Sequence, residues 1–353
     1  MRLDIHQHLW TEPLLAALSR RQDLPFIRRE HGLTVLYLAG ERPFVLDLSA
    51  ELPAQRAQLV EHDGLERALV CLSSPLGIES LPRAEAQPLL EAYHDGALAL
   101  GEPFGVWGAV ALDQHDPDDV DRVLDRGCVG VCLPAGALAD VAALTRMRTL
   151  LARLEERDAP LFVHPGPSAG RMPTAALADP LWWPALTGYV GCMQAAWLAF
   201  LARGRAAHPR LRVAFAMLAG LAPLHGERLA SRGGPVAHIA DPLVFFDTSS
   251  YGPAAIRAVA AVVGAGQLLY GSDRPVVEPA EPGPALGPDA LGFELESVNA
   301  RAARRLLGSG PRSRETRLAA PGGPSDRPAR TVPSVLKARR VGRAARATEP
   351  TLP

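Results

Sequence analysis

The sequence predicts an α/β protein: a closed (β/α)8 barrel with a small helix-and-hairpin insertion after its first strand and a disordered C-terminal tail. Three observations lead there. Eight short apolar runs rich in β-branched residues alternate with segments of helical periodicity, and strands separated by helices pair in parallel because each crossover returns the chain to the same edge. The first run lacks the glycine-rich turn that an open nucleotide-binding sheet places there, so a doubly wound sheet is the second choice. The chain has 353 residues, 48% hydrophobic and 21% charged, which is enough for one large domain of this kind.

The strand candidates are 3–8, 68–73, 105–112, 129–134, 161–164, 212–218, 243–248 and 267–271. Helical patterns over 54–62, 84–100, 117–125, 141–157, 186–203, 224–231 and 254–263 separate them, and one over 295–307 closes the barrel. Asp116-Pro117-Asp118-Asp119 is a typical helix start, with proline in the first turn and acidic groups facing the positive dipole end. Residues 11–53 exceed one barrel helix. Alternating runs at 33–38 and 44–48, split by Ala39-Gly40-Glu41-Arg42-Pro43, predict a helix plus a β-hairpin over the mouth of the barrel. The barrel is therefore assigned to residues 1–308. Residues 309–353 carry ten basic and three acidic residues among scattered Pro and Gly, without an apolar period, and read as a solvated, disordered tail.

Net charge is −1, so no global field points to nucleic acid or membrane. No secretory h-region follows the start, and the most apolar helix, around Gln194–Leu201, is too short to span a bilayer. The four cysteines, Cys71, Cys128, Cys132 and Cys192, sit in apolar segments and read as buried thiols. A cytoplasmic location is expected. Of 37 basic residues only Lys337 is lysine, and it lies in the tail.

Chemistry concentrates at predicted strand ends, where barrels of this type build active sites. In Asp4-Ile5-His6-Gln7-His8, strand alternation puts both imidazoles on one face. His164 closes the fifth strand in Leu161-Phe162-Val163-His164-Pro165-Gly166, and Asp273 follows the eighth in Gly271-Ser272-Asp273-Arg274-Pro275. Three imidazoles and a carboxylate suit one divalent ion: zinc first, with manganese, iron and cobalt as alternatives. Asp273 is also the candidate catalytic base. Arg274 and Arg171 are candidate carboxylate binders, and Trp10, Trp182, Trp183 and Tyr251 are candidate walls of a substrate pocket.

These motifs resemble the amidohydrolase superfamily of TIM barrels, specifically the amidohydrolase-related branch that includes aminocarboxymuconate-semialdehyde decarboxylase-like enzymes. The resemblance covers residues 1–308 and includes His208-Pro209-x-Leu211-Arg212-Val213 and Asn299-x4-Arg304-x-Leu306-Leu307. The opening Asp4-x-His6-Gln7-His8-x-Trp10 is also similar to sugar-lactone hydrolases of the superfamily. Binuclear members bridge two metals with a carboxylated lysine on strand four. Val129-Gly130-Val131-Cys132-Leu133 offers none, so the resemblance implies a mononuclear site. One departure stands out: where the branch places a histidine after strand six, Ala216-Met217-Leu218-Ala219-Gly220 has Met217, whose thioether carries no proton. His225, on the next helix, is a candidate substitute only if it reaches the mouth.

Three functions follow. The first is a metal-dependent hydrolase using a metal-activated water on an amide, ester or lactone of a small carboxylated molecule. The second is a non-oxidative decarboxylase of an aromatic or unsaturated acid, which Met217 opposes. The third is a catalytically reduced, ligand-binding barrel. A small-molecule substrate is the expected partner, and a homodimer is compatible with such a barrel.

Overall fold

In the computed structural model, residues 2–167, 180, 182–279 and 285–308 are described. Arg171 and the predicted tail lie outside them. Eight parallel strands follow one another around a barrel: β1 (Leu3–Gln7), β5 (Arg67–Val70), β6 (Phe104–Ala109), β7 (Gly130–Pro134), β8 (Leu161–His164), β9 (Val213–Phe215), β10 (Val244–Asp247) and β11 (Leu268–Leu269). Apart from the half-buried Arg67, all eight are buried along their length, which explains why most read as continuous apolar runs rather than alternating ones; β1, with Asp4, His6 and Gln7, is the exception. The last strand closes on the first through Ile5 N–H to Tyr270 O at 3.0 Å and Asp273 N–H to His6 O at 2.8 Å, with a parallel bridge between Gln7 and Arg274.

Several elements depart from the sequence-based expectation. The insertion carries three antiparallel strands rather than two: β2 (Phe26–Glu30), β3 (Leu33–Tyr37) and β4 (Phe44–Leu46). Arg28, Arg29 and Glu30 hide β2 by breaking the apolar alternation. His31 and Gly32, both at positive φ (51° and 84°), form the two-residue turn that such a tight hairpin requires. Helix 141–157 is two helices, Val141–Arg146 and Arg148–Glu156, with Met147 between them.

The strand candidate 212–218 stops at Phe215, because Met217, Leu218, Ala219, Gly220 and Leu221 all take the left-handed conformation, with φ between 48° and 64°. Each non-glycine residue there costs about 1–2 kcal/mol. The run is held by packing against the preceding helix. Gln194 Nε2 donates to Gly220 O at 2.8 Å, and a Cβ on Gly220 would meet Val190 O at 2.7 Å.

That helix is longer than the sequence suggested. Ala185–Ala207 runs 23 residues with a mean hydropathy of 1.4, long and apolar enough to cross a membrane. It packs Met193, Ala196, Trp197 and Phe200 against the hydrophobic core.

Candidate metal centre

Strand β1 delivers His6 and His8 to the C-terminal mouth, β8 delivers His164, and the turn after β11 delivers Asp273, itself left-handed at φ 60°. The three rings stand nearly perpendicular to one another, with centroids 4.9–5.1 Å apart. His6 Nε2 lies 3.2 Å from His8 Nε2, and Asp273 Oδ1 lies 3.3 Å from the first and 3.1 Å from the second.

The proton positions follow from the far side of each ring. His8 Nδ1 donates to Cys71 O at 3.0 Å and His164 Nδ1 to Pro165 O at 2.8 Å, since a carbonyl can only accept. His6 Nδ1 donates to the Asp247 carboxylate at 2.7 Å. In each neutral ring Nε2 is then the bare lone pair. With both rings neutral, the Nε2 lone pairs of His6 and His8 face each other and a carboxylate oxygen at 3.1–3.3 Å with no hydrogen to share, and either a proton on His6 or a metal ion relieves the crowding. Such an arrangement is repulsive until a cation enters it. Ligand bonds of about 2.0–2.1 Å place neighbouring donor atoms roughly 3.0–3.4 Å apart, which is the spacing found here. The donor set therefore fits one divalent ion.

The ionisation of these groups reflects the same crowding. Burial opposes a charged His6, but the charges of Asp273 and Asp247 outweigh it and raise its pKa to about 9. Burial also favours a neutral Asp273, yet the surrounding imidazoles pull its pKa down to about 2. Burial and the neighbouring His6 and His8 charges push His164 well below the usual histidine range.

The cluster forms the floor of a cavity of about 440 Å3. Trp10, Leu36, Leu38, Phe44, Leu76 and Met217 are among its apolar walls; Glu41, Arg42 and Tyr189 are polar. Trp10 thus stands where the sequence suggested. Five other candidates do not. Arg274 is buried and engaged: it pairs with Asp63 and with Glu278 and does not line the cavity. Its arginine–carboxylate network ties the turn after β11 to Asp63, at the end of helix Pro53–His62, instead of offering a free fork to substrate. Tyr251 lines a separate cavity of about 210 Å3 with Thr248, Ile256 and Ser272. Trp182, Trp183 and His225 are exposed and line no part of the metal cavity.

Sequence reasoning missed several residues. Asp247 ends β10 as His164 ends β8, an acidic residue closing an apolar run, and that position was the available clue. Arg56, 2% exposed, donates to His8 O at 2.9 Å and to Gln7 Oε1 at 2.6 Å, fixing the strand end that carries the ligands. Cys71 brings its sulfur within 3.6 Å of His8 Nδ1 and joins His6, His8 and His164 in the same site, with one metal-binding atom from each of the four within 4.8 Å of the others. Nothing in its local sequence marked either residue.

No family model and no curated protein matches the sequence. Solved structures do match its fold. A protein named amidohydrolase II superposes with a TM-score of 0.68 at 19% identity, covering 87% of this chain and all (100%) of that one. The 5-carboxyvanillate decarboxylase of Sphingomonas paucimobilis gives 0.64 at 17% identity, with 87% and 98% covered. That of Novosphingobium aromaticivorans, solved with manganese and a nitrobenzoic acid, gives 0.64 at 17% identity, with 87% and 96% covered. The chain thus has the barrel fold of amidohydrolase-superfamily proteins, as its motifs led us to expect.

Proposed function

We propose that this chain is a metal-dependent enzyme of the amidohydrolase superfamily that removes carbon dioxide from a small aromatic or unsaturated carboxylic acid. One observation carries the reading: the Nε2 atoms of His6 and His8 converge with the Asp273 carboxylate, beside His164, at the floor of an apolar cavity of about 440 Å3. His6, His8, His164 and Asp273 would hold the ion. When bound, a divalent ion there supplies a Lewis acid for substrate oxygens and lowers the pKa of a coordinated water toward roughly 7. Zinc and manganese both suit these ligands.

The protein's own contribution favours decarboxylation. The substrate carboxylate would sit at the metal ligands, and the apolar walls would keep water from the dispersed charge that forms as the carbon–carbon bond breaks. Met217 in the wall neither gives nor takes a proton. Asp273 is left as the acid–base group nearest the reacting atoms. Two of the decarboxylases of like fold act on a carboxylated phenol by name, which supports this substrate class over the amides, esters and lactones that the sequence put first.

Hydrolysis is the second reading. Asp273 lies within 3.1–3.3 Å of the ring nitrogens, positioned to take a proton from a water held at the same place. Manganese- or zinc-loaded protein incubated with a panel of hydroxybenzoates should release carbon dioxide, and Asp273→Asn should abolish that release while circular dichroism stays unchanged. Turnover of lactones or esters without carbon dioxide release from any acid would instead establish the hydrolase. Binding without turnover on both panels would leave a ligand-binding barrel.

A further inference from the structure

The mouth of the cavity is built from two elements far apart in sequence. The segment joining β3 and β4 supplies Leu38, Glu41, Arg42 and Pro43, and the long helix supplies Ala185 and Tyr189. They meet through one polar contact: the Tyr189 hydroxyl donates to Glu41 Oε1. A carboxylate at an apolar wall is costly to bury, and burial raises the pKa of both partners. Arg42, next to Glu41, also lines the cavity but is exposed to solvent, whereas Glu41 is half-buried. The metal ligands contribute here too, since the Asp273 charge adds to the rise at Tyr189. The two polar ends of the cavity therefore lie within electrostatic reach of each other.

A tyrosine hydroxyl that donates its only hydrogen to a carboxylate keeps its lone pairs, so the pair offers acceptors on both members. The floor, once it holds a cation, takes an oxyanion. A ligand filling the space between must present opposite polarity at its two ends.

We propose that Glu41 and Tyr189 form a specificity element that selects carboxylic acids bearing a hydrogen-bond donor, an amine or a hydroxyl, at the end remote from the carboxylate. The proposal rests on the reading that the substrate carboxylate sits at the metal ligands. A second carboxylate at the remote end is rejected by the same pair.

The test is calorimetric titration of the full-length, metal-loaded protein with three benzoates that differ only in the para group: aminoethyl, ethyl and carboxyethyl. The aminoethyl probe should bind about tenfold more tightly than the ethyl probe, the gain expected of one charge-assisted contact, and the carboxyethyl probe more weakly than either. Glu41→Gln should bring the aminoethyl and ethyl probes within about twofold of each other and leave the ethyl affinity unchanged. Tyr189→Phe should narrow the preference without erasing it, which keeps the test available if the Glu41 variant fails to fold. Ethyl and aminoethyl probes binding equally to the native protein would overturn the proposal alone. So would a preference that survives Glu41→Gln. Failure of every benzoate to bind would overturn both the proposal and the carboxylate reading of the metal site.

Discussion

Replacing Asp247 with asparagine preserves the shape of a fully buried side chain and removes one acceptor. In the native protein Asp247 Oδ2 accepts from His6 Nδ1 at 2.7 Å. Its Oδ1 accepts from Met217 N at 2.8 Å, Ser249 N at 3.0 Å and Ser249 Oγ at 2.6 Å. Four donors thus converge on two oxygens, and an amide has only one. If that oxygen stays with Met217 and Ser249, the new NH2 group faces His6 Nδ1. The imidazole must then accept at Nδ1 and carry its hydrogen on Nε2, the atom that points at His8 and Asp273. A protonated Nε2 cannot bind a cation. If the amide turns the other way, the Met217 and Ser249 donors face hydrogens, at about 1–3 kcal/mol for each buried group left unsatisfied. Loss of such an orienting carboxylate typically costs 10–100-fold in metal affinity, or roughly 1.4–2.7 kcal/mol. Asp247→Asn should therefore weaken zinc or manganese binding by at least about tenfold in a chelator-competition titration, with the fold retained by circular dichroism. Native affinity in a folded variant would refute the tautomer argument.

Two further substitutions probe the frame around the site. Glu79 is wholly buried in the turn after β5; Ser74 Oγ donates to its Oε1 at 2.6 Å, and Oε2 has no partner. Burial raises its pKa from 4.5 to about 7. A raised carboxyl pKa means the folded state holds the proton more tightly, so the contribution is complete below pH 4.5 and lost as pH rises through 7. Glu79→Gln should remove that dependence: the stability difference between native and variant, followed by urea unfolding, should change by about 2.5 kcal/mol between roughly pH 5 and 8. A constant difference would refute it. Gly220→Ala should destabilise by about 2–4 kcal/mol, combining left-handed strain with overpacking against the Val190 carbonyl. Gly233→Ala, at φ 73° with nothing within 4 Å, serves as the control and should cost only about 1 kcal/mol by the same measurement.

The barrel was legible because most of its strands are buried on both faces and so read as unbroken apolar runs. His6, His8, His164 and Asp273 were legible because strand alternation and strand ends place side chains by rule. What escaped depends on partners distant in sequence. Arg274 looked like a substrate fork from its neighbour Asp273, yet its direction is set by Asp63, 211 positions away. Asp247 acts on a histidine 241 positions away, and Glu41 meets Tyr189 across 148. The left-handed path from Met217 follows from contact with the long helix, since its own residues, Leu218 and Ala219 among them, have no intrinsic preference for it.

The candidate metal centre and the closure of the barrel share the same residues. Asp273 N donates to His6 O and His8 N to Arg274 O at 2.7 Å, so the bonds that join β11 to β1 run between the residues that carry the ligands. Arg56 ties the same two segments by donating to the His8 and Arg274 carbonyls. A cation bound to His6, His8 and Asp273 therefore bridges the first and last strands and stabilises the closed barrel by mass action. At a metal concentration about 100-fold above the dissociation constant the gain is roughly 2.7 kcal/mol. For a domain of this size that amounts to a rise of about 5–10 °C in Tm, scaling from roughly 2–4 °C per kcal/mol. Scanning calorimetry with and without a chelator should show this shift in the native protein and none in His6→Ala, which elemental analysis should find metal-free. An equal shift in both proteins would place the stabilising ion elsewhere and separate the closure of the barrel from the site at its mouth.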